Sequence, residues 1–139
     1  MCIRDRSEYF VERSRTADAI AAVRGVADRF RGLIMVGELR SVAADQLWLS
    51  PAFGRETGIL HFTWRKDDAV YSTAVPAVEE ALTGFDARPH WGKVNGYDTA
   101  AMERAYTNLP RARALFDSLD PAGKFSSPML ERWGVRSPR

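Results

Sequence analysis

Five polar side chains are spaced so that they could do chemistry together. Glu38 and Arg40 stand two residues apart in LIMVGELRSV, and His61 and Thr63 stand two apart in GILHFTWR. Side chains two apart on a strand share a face, so each pair projects to one side. The fifth is Lys93, which follows two large rings and a glycine in RPHWGK (88–93), where an alternating segment should be ending. One carboxylate, two cations, an imidazole and a hydroxyl on one surface suit a polyhydroxylated ligand. The carboxylate accepts from hydroxyls, while the cations donate and favour a developing alkoxide. The bland alternative is a solvated Glu–Arg pair of little energetic weight, beside a structural histidine and a lysine tail in water.

Other chemistries find little support. The chain holds no G-x-G-x-x-G or Walker pattern, hence no phosphate cradle of either kind. Its histidines are His61 and His90 and its one cysteine is Cys2, so no zinc site and no intramolecular disulfide are expected. No serine-centred nucleophile elbow occurs. A net charge of +2 is no nucleic-acid footprint, and no apolar run approaches the ~18 residues of a membrane span. With 45% hydrophobic and 27% charged residues, the chain reads as an ordinary soluble globular one. The tail aromatics Tyr106, Phe116 and Phe125 read as core.

The elements that must position the five residues follow from pattern. SEYFVE (7–12), short, aromatic and β-branched, reads as a strand. Thr16 as N-cap, Asp18 in the first turn and the stripe Ile20, Val23, Val26, Ala27, Phe30 predict a helix over 16–31, closed by Gly32. Residues 33–42 and 58–65 read as strands, separated by an excursion containing LWLSPAFG that is too long for an ordinary hairpin. Ser72 or Thr73 caps a second helix over 73–83, with Pro76 in its first turn and Gly84 at its end. Residues 87–91 read as a fourth strand. Helices follow over 98–106 and again after Asn108 and Pro110, and DPAG (120–123) is a turn signal. The order β-α-β-β-α-β, followed by helices, predicts an α+β fold: a ferredoxin-like antiparallel sheet with both helices on one face. On the other face Ile34, Val36, Glu38 and Arg40 should lie beside Ile59, His61 and Thr63, with Leu33, Met35 and Leu39 facing the helices.

VGELRSVAADQLWLSP, LHFTW, ARPHWGK and LDPAGKF, in this order, resemble the C-terminal part of the alditol and aldonolactone oxidases, FAD-linked enzymes of the vanillyl-alcohol oxidase type. The resemblance covers nearly all of residues 7–128. It places the family's E-x-R on Glu38 and Arg40, its His and Thr on His61 and Thr63, and its HWGK lysine on Lys93. In alditol oxidases these positions line the polyol site in front of the flavin. The resemblance therefore implies that Arg40 and Lys93 polarise the reacting hydroxyl, stabilise its alkoxide and lie near the flavin ring. Glu38 would hold hydroxyls and orient Arg40, with a base role left open, and His61 and Thr63 would hold the polyol.

The implied reaction oxidises a primary hydroxyl of a sugar alcohol to an aldehyde, with O2 reduced to H2O2. FAD would be bound mainly by an N-terminal domain outside this chain. Residues 7–97 would form the substrate domain, and 98–139 a helical extension near the FAD domain. A bacterial cytoplasm is the expected compartment. A sugar-1,4-lactone oxidase or dehydrogenase of the same family is the alternative, although the HFTW strand is closer to alditol oxidases. The competing class is a free-standing ferredoxin-like binding module. Met1–Arg6 reads as a translated sequencing adapter, which puts Arg6 where the family has a substrate-binding glutamine before SEYF.

Overall fold

The computed structural model describes residues 5–138, so Cys2 and most of the adapter-like leader lie outside the described residues. Strands β1 (Arg6–Glu12), β2 (Ile34–Val42), β3 (Thr57–Trp64) and β4 (Arg88–Pro89) form one sheet in the order β2-β3-β1-β4. All three pairings are antiparallel. This is the order of two interleaved β-α-β units, with β1 and β3 at the centre. Helices α1 (Thr16–Gly25) and α2 (Val75–Ala81) pack on the same face. Ala19 and Val23 of α1, and Val75, Ala77 and Val78 of α2, share a buried cluster with Tyr9, Val11, Leu60, Phe62 and Trp64. Within it Phe62 and Trp64 stack at 5.2 Å and Phe30 meets Trp64 edge-on at 5.7 Å.

Several boundaries differ from the sequence pattern. α1 stops at Gly25, the weakest helix former after proline. A 3-10 turn, Ala27–Arg29, then swings Phe30 into the core. Thr16 does not cap α1; its hydroxyl donates to Glu12 O at 3.4 Å, and its side chain sits over the glycine at 58. α2 is preceded by a wide π turn, Val70–Ala74. The Asp67 carboxylate starts that segment by accepting from Ala69 N at 2.8 Å. The chain leaves the α2 region through left-handed Asp86 (φ 49°) rather than at Gly84.

β4 is two residues long because the chain turns away at 91–93. Backbone bonds to β1 flank the turn: His90 N–H reaches Glu8 O at 2.9 Å before it, and Val94 N–H reaches Arg6 O at 2.8 Å beyond it.

The excursion over residues 43–56 is packed on the sheet face away from α1 and α2. Arg88 pairs with Phe10 and shares its side of the sheet. From there it donates to Pro51 O, Phe53 O and Ala105 O, at 3.1, 2.8 and 2.9 Å. Arg55 donates to Phe10 O and Asp86 O, and Trp91 Nε1 to Leu49 O. Helices α3 (Thr99–Ala105), α4 (Leu109–Leu119) and α5 (Pro128–Arg132) complete the chain. Asp98 and Ser127 cap α3 and α5. A second core forms from Met102, Tyr106, Leu109, Trp133 and Val135, with Leu49, Trp91 and Phe116 packed against it. Phe125 is 72% exposed, so of the three tail aromatics it is the one outside the core.

Candidate active site

Register builds the site on the face opposite α1 and α2. Glu8 of β1, His61 of β3 and Glu38 of β2 lie in one row across three strands. The adjoining row on one side is Arg6, Thr63 and Val36, and on the other Phe10, Ile59 and Arg40. A β-bulge between Ile34 and Val36 sets which β2 residues belong here. The extra residue reverses the alternation on one side of it. Ile34 therefore lies opposite Trp64 and packs on the helix-side core, while Met35 is 61% exposed. Ile34 is thus removed from the polar face on which alternation alone had put it. Val36 and Ile59 remain there.

Glu38 and Arg40 form a direct ion pair, both about half exposed. One oxygen of Glu8 does more: Oε2 lies 2.5 Å from His61 Nδ1, binds the Lys93 ammonium and stands 4.0 Å from Arg40. Glu8 and His61 are 5% and 4% exposed, against 13% for Lys93. Lys93 Nζ is also 3.1 Å from His61 Nδ1, and Thr63 Oγ1 is 3.4 Å from His61 Nε2. All five residues singled out in the sequence thus converge on one face, around a sixth that the sequence reading passed over. The signal for Glu8 was a carboxylate in the middle of an apolar strand, flanked by residues that face the core. Such a group is buried only with partners.

The turn at 91–93 explains how a strand end delivers an ammonium. Trp91 is anchored in the second core, 4.4 Å from the Tyr106 ring. Lys93 N–H returns to His90 O at 3.2 Å, and Gly92 N–H donates to His90 Nδ1 at 2.9 Å. Between the two backbone bonds to β1, Lys93 is swung back over the sheet onto Glu8.

Burial pushes the Glu8 carboxyl upward, but the bonds from Lys93 and His61 outweigh it and hold Glu8 below the ordinary glutamate value. The Arg40 hydrogen bond lowers Glu38 and raises Arg40. Burial, and then the Lys93 charge, push His90 down. Each cation has its own carboxylate, Lys93 with Glu8 and Arg40 with Glu38. An ammonium has three N–H donors and a guanidinium five, so both retain donors for a ligand. Among the described residues no cluster of three or more His, Cys, Asp or Glu could hold a metal.

Residues 5–133 match the D-arabinono-1,4-lactone oxidase family. The chain belongs to this family. It is 44% identical over 125 residues to an alditol oxidase of Streptomyces sp., covering 90% of this chain and 30% of that protein. It is 30% identical over 126 residues to an L-gulono-1,4-lactone dehydrogenase of Mycobacterium tuberculosis, covering 90% and 29%. To an L-gulonolactone oxidase of Bos taurus it is 24% identical over 133 residues, covering 90% and 30%. The chain thus spans about 30% of the length of these relatives. All six residues of the polar cluster lie within the family match. Among the described residues no helix is long and apolar enough to cross a membrane.

Proposed function

We propose that this chain is the substrate-binding part of an FAD-dependent alditol oxidase, which converts a primary hydroxyl of a sugar alcohol to an aldehyde and reduces O2 to H2O2. The observation that carries the reading is the convergence of Glu38, Arg40, His61, Thr63 and Lys93 on one sheet face in a member of this family. The 44% identity to an alditol oxidase supports the alditol over the lactone.

The residues present fit one end of a flavin. Arg40 and Lys93 offer cationic donors on a face whose Val36 and Arg40 are open, which suits a flat, partly apolar ring that gains negative charge. The sequence has no Gly-rich cradle for the pyrophosphate, so the rest of the cofactor falls to sequence outside these 139 residues. When bound, the flavin supplies the hydride acceptor and the reduction of O2. Arg40 and Lys93 bind the oxygen of the reacting hydroxyl and lower the cost of its negative charge. Glu38 accepts from neighbouring hydroxyls and holds the Arg40 guanidinium in place. His61 and Thr63 orient the remaining polyol chain. Residues 7–97 form the substrate domain in this reading, with 98–139 packed near the flavin domain, in a bacterial cytoplasm.

The test is to recover the upstream coding sequence and purify the complete protein. A bound flavin, and peroxide formed from xylitol or sorbitol faster than from sugar-1,4-lactones, is the expected result. Faster turnover of the lactones would make it a lactone oxidase or dehydrogenase. A colourless complete protein without turnover would favour a binding module.

A further inference from the structure

We propose that Glu8 is a positioning residue of this site: its carboxylate fixes His61 as the Nδ1–H tautomer, leaves Nε2 as the acceptor beside the Thr63 hydroxyl, and holds the Lys93 ammonium over the sheet. Only the polyol named as ligand rests on the oxidase reading; the tautomer rests on geometry alone.

The 2.5 Å separation of Glu8 Oε2 and His61 Nδ1 requires a proton between them, since two bare acceptors repel at that distance. The proton belongs to the imidazole, because the Lys93 ammonium on the same oxygen favours the charged carboxylate. Lys93 Nζ lies 3.1 Å from the same ring nitrogen. An ammonium cannot accept a hydrogen bond, so two donors stand side by side and converge on one carboxylate oxygen. A neutral imidazole protonated at Nδ1 has a bare Nε2, and here that atom faces the Thr63 hydroxyl at 3.4 Å.

The consequence is a surface that alternates in character. Glu38 accepts, Arg40 and Lys93 donate, and the Thr63 hydroxyl, its proton directed to His61 Nε2, keeps its oxygen as a second acceptor. A chain of hydroxyls, each of which donates and accepts, matches that alternation. With the proton on Nε2 instead, His61 would donate to Thr63 Oγ1 and turn the Thr63 hydroxyl proton outward, leaving Glu38 as the main receiver of hydroxyl protons.

The two histidines provide an internal comparison. Gly92 N–H donates to His90 Nδ1, so neutral His90 carries its proton on Nε2, the opposite tautomer. The experiment labels the histidines of the chain with 15N and reads the ring-nitrogen shifts near neutral pH, which separate a protonated nitrogen from a bare one. The expected spectrum shows His61 protonated at Nδ1 and His90 at Nε2. In Glu8→Ala, His61 should shift to the Nε2–H form while His90 keeps its signals. In Glu8→Gln, whose amide oxygen still accepts from Nδ1, the original His61 tautomer should return. A wild-type His61 protonated at Nε2 overturns the proposal before any variant is made, as does an unchanged tautomer in Glu8→Ala. Neither flavin nor substrate is present, so failure of the oxidase reading and failure of this one are separate results.

Discussion

At Arg40 and Lys93 the two cations have different surroundings, and their removal should be felt differently. In the complete enzyme, Arg40→Ala and Lys93→Ala should each lower kcat/KM for a polyol about 100-fold, the usual loss for a charge-stabilising donor. Stability should then tell them apart. Lys93→Ala leaves Glu8 buried without its ammonium and should cost about 3 kcal/mol or more. Arg40→Ala leaves Glu38 in water and should hardly move the denaturation midpoint. Equal stability losses in urea titrations would mean that the Lys93–Glu8 pair is not the buried anchor described. Acid should act through the same residues. The folded pKa of His90 is depressed, so a penalty grows as pH falls through the ordinary histidine range. That of Glu8 is depressed too, so its stabilisation is lost at lower pH, between the ordinary glutamate value and the folded one. The denaturant midpoint should fall in two steps below neutrality, and His90→Gln should remove the first. A midpoint that is flat from neutral to mildly acidic pH would refute the His90 assignment. Glu38 with Arg40, and His61 with Thr63, were legible in sequence because i, i+2 spacing is local. Glu8 was not, because its partners lie 53 and 85 residues away and register alone brings them together.

The elements themselves were read largely from alternation and capping, and the departures share a cause. The β2 bulge, the π turn before α2 and the break of the β4 ladder at HWG each answer a tertiary demand, which no local pattern encodes. Ile34 had to meet Trp64, and Trp91 had to enter the second core. The long excursion was legible as an anomaly of length, but its clamps were not: Arg55, Arg88 and Trp91 act through backbone carbonyls, which carry no sequence signal. Gly58 shows the reverse case, a residue whose identity is fixed by a neighbour. A Cβ there would come within 2.0 Å of Thr16 Oγ1 and 2.6 Å of its Cγ2, where α1 begins against β3. Gly58→Ala should therefore destabilise the chain by about 1–3 kcal/mol, the range for overpacking a close contact. Adding Thr16→Gly should recover part of that loss. A Gly58→Ala chain with an unchanged melting temperature would show that α1 shifts freely on the sheet.

For the whole molecule the telling feature is what the sheet leaves open. β2 is an edge strand of nine residues, on which Met35, Val36, Leu39 and Val42 are 61, 46, 62 and 42% exposed. Leu115, Leu119, Phe125 and Met129 of the C-terminal region are exposed as well. Long apolar edges invite pairing with other chains, and proteins ordinarily cover or charge them. The ferredoxin-like order puts both helices on one face, and on the other the 43–56 excursion covers part of the sheet while the β2 edge stays open, but the order alone names no occupant. Under the proposed function the occupant is a flavin domain encoded outside these residues, and the isolated chain should behave accordingly. Purified alone, it should be colourless, marginally soluble and inactive toward xylitol or sorbitol. FAD added in excess should separate from it on gel filtration, because Arg40 and Lys93 can meet a ring but no Gly-rich cradle is present to hold the pyrophosphate. Met35→Lys with Leu39→Lys should raise its solubility by charging the open edge, without altering flavin retention. A yellow chain whose flavin absorbance survives gel filtration and which forms peroxide from an alditol would place the whole cofactor site within these 139 residues, and the division of labour proposed between the two parts of the enzyme would be wrong.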